Sequence, residues 1–92
     1  MHIYYALLKQ ETKYDTEYGY AYIYAESEER AIEVWGTYCG FEVEKIVLYG
    51  CDYGEIYEHR DICMMGFYDE QMEKPRALFE TYQKLAEGKH EI

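Results

Sequence analysis

Ninety-two residues are enough for one domain, residues 1–92, built around one modest core, and not enough for two. Hydrophobic residues make up 49% of the chain, which excludes disorder as the default state. Nineteen acidic residues against nine basic ones give a net charge of −10, and that field repels nucleic-acid phosphates and anionic membrane surfaces.

The elements follow in chain order. Residues 2–10 read as a first strand, with Ile3, Tyr5 and Leu7 on one face and Tyr4, Ala6 and Leu8 on the other. Both faces are apolar, the mark of a central strand or of one covered on both sides. Residues 11–17 are polar and connect a hairpin. Residues 18–25 alternate without a break, so Tyr18, Tyr20, Tyr22 and Tyr24 share one face while Gly19, Ala21, Ile23 and Ala25 share the other. The small-residue face admits close approach of another element, and the next segment supplies it. Ser27 is an N-cap, Glu28 and Glu29 suit the first turn, and Ala31, Val34, Trp35 and Tyr38 keep helical spacing. The expected helix spans 28–39 and ends at Gly40 as a C′ glycine.

A third strand is expected within 41–51, centred on Lys45 to Tyr49, followed by a turn over Gly50 and Asp52 to Gly54. From Glu55 to Asp69 the pattern fits one long bulged strand or two short ones, because Gly66 weakens a regular strand. A second helix is expected to start at or near Pro75, with Leu78, Tyr82 and Leu85 as its apolar stripe and Phe79 and Ala86 beside it. The order is ββαββα. The class is α+β: a small antiparallel sheet of about four strands with two helices packed on one face.

No enzyme motif stands out. Cys51, His59 and Cys63 form C-x7-H-x3-C, which offers three donors where a structural zinc site wants four in short paired spacings. No EF-hand or phosphate-binding glycine loop is present, and Ser27 is accounted for as a cap. The expectation is therefore no catalytic residue, no metal and no cofactor. No apolar run approaches the ~20 residues that cross a bilayer. The start, Met1 to Tyr5, lacks the basic and apolar regions of a signal peptide, and an odd number of cysteines (Cys39, Cys51, Cys63) closes no disulfide framework. Both points indicate a cytoplasmic protein without membrane association.

Two surface features remain. The tyrosines at 18, 20, 22 and 24 either form a contact surface or pack against cross-strand neighbours such as Tyr4, Leu8 and Tyr49. The acids form clusters: Glu26, Glu28, Glu29 and Glu33 at the first helix, Glu42 and Glu44 on a strand, Asp52, Glu55, Glu58 and Asp61 further on, and Asp69, Glu70 and Glu73 before the last helix. Each cluster is either a solvated face or part of a track that imitates phosphates and meets Arg and Lys side chains through charge-assisted hydrogen bonds.

In length, carboxylate clusters, aromatic content and lack of enzyme motifs, the chain resembles the small acidic phage-encoded inhibitors, of which anti-CRISPR proteins are the best known. That resemblance implies a non-enzymatic inhibitor that occupies a basic, nucleic-acid-binding surface of a host nucleoprotein complex. Its contacts would be the carboxylates, with tyrosines as anchors and no direct binding of nucleic acid. The alternatives are a regulatory or structural interaction domain, monomeric or paired as a homodimer through its tyrosine-rich sheet face, and a small Cys/His metal-binding protein.

Overall fold

The computed structural model describes residues 1–51, 57–64 and 69–88. Its elements are β1 (His2–Glu11), β2 (Thr16–Ala25), α1 (Glu28–Trp35), β3 (Thr37–Tyr38), β4 (Phe41–Cys51), β5 (His59–Met64) and α2 (Asp69–Gly88). The strands form one antiparallel sheet in the order β3-β4-β1-β2-β5, with four long strands and a two-residue β3 at one edge. The α+β class is as expected, and β3 is the element that the ββαββα order lacked.

β1 is central, pairing with β2 on one side and β4 on the other, and residues 3–8 are buried on both faces. That two-sided burial decides the architecture. Tyr4, Ala6 and Leu8 join Ala21, Ile23, Ala25, Ala31 of α1 and Phe41 in one core. Tyr5 and Leu7 join Val47 and Phe79 of α2 in a second, with Tyr18, Tyr20, Tyr22, Tyr82 and Ala86 packed around it. The two helices therefore lie on opposite faces of the sheet, not on one. A strand with apolar residues on both sides exposes one set to water unless each face has its own cover.

The two covers differ in grain. Ala21, Ala25 and Ala31 are fully buried and let α1 sit close to the sheet. The tyrosine face is filled by rings: Tyr5 meets Tyr22 and Tyr82 at 5.1 Å each, and Tyr49 meets Tyr82 at 4.6 Å, mostly edge to face. The Tyr5 hydroxyl donates to the Pro75 carbonyl at 3.3 Å, fastening α2 to the central strand.

Three local expectations are corrected. α1 stops at Trp35 with Gly36 as its C-cap, and Gly40 does not end it. Cys39 (φ 52°) and Gly40 (φ 83°) instead form the two-residue link between Tyr38 and Phe41, with the positive φ pair of a type I′ hairpin turn. α2 begins at Asp69, six residues before Pro75, which lies inside it. Asp69 and Glu70 therefore fall in its first turn, where the dipole favours acids, and Glu73 in the second, rather than before the helix. The inward side of α2 carries Pro75, Phe79, Tyr82 and Ala86, while Leu78 and Leu85 remain 41% and 60% exposed. Aromatic side chains facing the tyrosine floor displace the leucines from the contact. The turn over residues 52–54, the first two residues of the Glu55–Asp69 stretch and Gly66 lie outside the described residues.

Candidate functional site

The densest carboxylate group is set by the start of α1. Ser27 is extended (φ −151°, ψ 165°) and its Oγ accepts the Arg30 N–H at 3.0 Å, which fixes the first turn. Glu28 and Glu29 occupy that turn, Glu26 precedes it, and Glu33 follows one turn later. All four are exposed. The two arginines near this surface are both engaged. Arg30 donates from Nη1 to Glu33 at 3.2 Å and from Nε to Glu58 at 3.1 Å. Arg60 donates to the Trp35 carbonyl at 3.0 Å and lies 5.8 Å from its ring centre. Glu26, Glu28 and Glu29 form no ion pair among the described residues. Beneath them, burial and the Glu28 charge push the Tyr4 hydroxyl above the usual tyrosine range, against the opposing pull of the Glu28 N–H.

The remaining carboxylates do not join this group. Glu42 is paired with Lys9, and Lys9 shares its face with Tyr5 and Leu7, so Glu42 faces the α2 side. Glu44 is the extra residue of a bulge between Val43 and Lys45, and its carboxylate approaches Arg76 of α2 at 3.9 Å. Lys9, Glu11, Gly40, Glu42, Val43 and Glu44 line a polar groove of about 380 Å³ there, in which Lys9 holds Glu11 at 3.1 Å. The fold therefore splits the α1 acids from the β4 acids across the sheet rather than aligning them in one track. Asp69 and Glu70 begin α2, and Asp52 and Glu55 lie outside the described residues.

The tyrosine stripe is a core face. Tyr18, Tyr20 and Tyr22 are half-buried in the α2 layer, and the register sets Tyr5, Leu7 and Lys9 opposite Tyr22, Tyr20 and Tyr18. Their β1 neighbours are thus the odd-numbered residues, one position away from Tyr4 and Leu8, while Tyr49 does meet Tyr22, at 5.5 Å. Burial and the neighbouring Tyr82 hydroxyl raise the Tyr22 phenol well above the usual range. Tyr24 stacks on His59 at 4.0 Å and 16°.

The C-x7-H-x3-C positions are spread across the sheet. Cys51 is on β4 and His59 on β5, three strand spacings or about 14 Å apart across the sheet. His59 and Cys63 are four residues apart on one strand, about 13 Å. Among the described residues no three His, Cys, Asp or Glu side chains gather as metal ligands, and no helix is long and apolar enough to cross a membrane.

The groups that sequence reasoning missed are the two clamps, Arg30 with Glu58 and Arg60 with Trp35. Both join α1 to the segment around β5, across 28 and 25 residues of chain, and neither has a local sequence signal. Compared with protein-family models, curated proteins and solved structures, the chain matches none.

Proposed function

We propose that the protein is a non-enzymatic inhibitor whose α1 surface docks on a basic, nucleic-acid-binding surface of a host nucleoprotein complex. One observation carries this reading. On a chain of net charge −10, the carboxylates of Glu26, Glu28 and Glu29 are exposed and form no ion pair among the described residues, while both nearby guanidiniums are already bound to groups of the protein itself. Such a surface meets Arg and Lys side chains at little cost in reorganisation, because the cap at Ser27 and the clamp from Arg30 to Glu58 hold α1 in place. The role is that of the small acidic inhibitors, anti-CRISPR proteins among them, that the composition resembles. The docking surface is narrower than composition alone implies. It consists of the α1 acids without the stripe of Tyr18, Tyr20 and Tyr22, whose rings support α2.

The test is affinity capture from a host extract, followed by competition with duplex DNA or RNA. The reading expects a nucleic-acid-binding complex that duplex displaces, and weaker capture by Glu28→Gln/Glu29→Gln. Capture indifferent to nucleic acid and to both substitutions overturns it.

A further inference from the structure

The outer edge of β4 is an unfinished part of the sheet among the described residues. β3 covers Phe41 and Glu42, and the Val43 N–H donates to the Gly36 carbonyl at 3.0 Å. Beyond Val43 no described backbone group pairs with that edge.

The register tells which backbone groups point outward. Thr12 N–H donates to the Asp15 carbonyl at 2.8 Å, and this pair continues the β1–β2 register that sets Glu11 opposite Thr16. Hydrogen-bonded pairs alternate along an antiparallel ladder. Even-numbered residues of β1 therefore bond to β2, and odd-numbered ones to β4. The β4 partners of Leu7 and Tyr5 are Lys45 and Val47, so Ile46 and Leu48 turn their N–H and C=O groups away from the sheet. Val43, opposite even-numbered Leu8, supplies an independent check, because its N–H does point outward, to Gly36. Bulges at Glu44 and Tyr49 bound this stretch and leave a regular edge from Lys45 to Leu48, with the bulged Tyr49 at its end.

We propose that this edge pairs with the same edge of a second copy, antiparallel about a two-fold axis at Val47. Ile46 of one copy then exchanges backbone hydrogen bonds with Leu48 of the other, and the reverse, with both side chains on the α1 face, where they are half-buried now. On the α2 face Lys45 comes opposite Tyr49 of the second copy, an aromatic ring 42% exposed in the single chain. No like charges face each other. The opposite edge is less suited, since pairing β5 about Asp61 sets two carboxylates face to face. Five residues a side make a small interface, so the dimer is weak, with a dissociation constant on the order of tens of micromolar or above.

Charge separates this association from docking at α1. Two copies of net charge −10 repel, so salt strengthens the dimer, whereas salt weakens binding to a basic partner. Either association can therefore fail without the other. The experiment is sedimentation equilibrium of the full chain up to millimolar concentration at low and high salt. A dimer whose population rises with salt is expected. Ile46→Pro should abolish it while leaving the monomer folded by Trp35 fluorescence, because proline is tolerated at an edge position whose N–H faces solvent. As a second readout, Val47→Cys in a background with Cys39, Cys51 and Cys63 all replaced by Ser should give a 47–47 disulfide on oxidation. The two α-carbons of such a non-hydrogen-bonded pair lie about 4.5 Å apart, within disulfide reach. A monomer under all conditions, a dimer that survives in folded Ile46→Pro, or oxidation without a 47–47 link overturns the proposal. If Ile46→Pro does not fold, the cross-link decides.

Discussion

Phe79→Ala tests whether the tyrosine face is a second core. Phe79 is 6% exposed and is the buried α2 side chain of the cluster that includes Tyr5, Leu7 and Val47. A buried aromatic side chain removes some 150–250 Å² from water, which at about 25 cal/mol per Å² amounts to roughly 4–6 kcal/mol. Alanine keeps the β-carbon, and measured Phe→Ala costs are about 3–5 kcal/mol, so about 4 kcal/mol is expected. For a chain of this length that lowers Tm by some 15–30 °C. Leu85→Lys is the control: six residues along the same helix and 60% exposed, it should change stability by less than about 0.5 kcal/mol. Urea unfolding followed by two probes is the assay. The single Trp35 reports on the α1 face, and near-ultraviolet circular dichroism reports on the tyrosines. A Phe79→Ala cost below about 1 kcal/mol, or an equal cost for Leu85→Lys, refutes the placement of α2.

Other outcomes follow from single groups. Ser27→Ala removes the acceptor for the Arg30 N–H and should cost about 1 kcal/mol, a Tm drop of about 4–8 °C by calorimetry. Cys39→Asn should raise stability by up to about 1 kcal/mol in urea titration, because asparagine tolerates the positive φ that cysteine adopts here and suits the first position of a type I′ turn. The Tyr22 and Tyr4 hydroxyls are both raised, chiefly by burial, so folding favours their neutral forms. That stability is whole below the unfolded tyrosine pKa near 10 and is lost as pH rises past it. Thermal midpoints should fall steadily above about pH 10, and a flat profile there contradicts the burial of these phenols.

Much of the fold is legible in the sequence where period and burial agree. The 18–25 alternation gives β2 and its two faces directly, and Ser27 with its following glutamates gives the start of α1. What is not legible depends on partners distant in the chain. The two apolar faces of β1 signal cover on both sides, yet nothing local says that α2 takes the tyrosine side. Leu78/Leu85 and Phe79/Ala86 are both helical stripes, and only the rings opposite them select the second. Gly40 reads equally as a helix terminator or a hairpin glycine until Tyr38 is seen paired with Phe41. The candidate site follows the same pattern. The acids of α1 lie within eight residues of one another and stay together, whereas Glu42 and Glu44 are carried to the other face by pairing with β1 and by a bulge.

The most direct test of the docking surface is the affinity of the captured partner complex measured across ionic strength, from about 0.05 to 0.5 M salt, for the native chain and for Glu26→Gln/Glu28→Gln/Glu29→Gln. Each lost charge-assisted contact is worth about 1 kcal/mol or more, so the triple variant should bind at least about 100-fold more weakly at low salt and show a shallower salt dependence. Affinity that is flat with salt, or unchanged in the folded triple variant, contradicts docking through the α1 carboxylates.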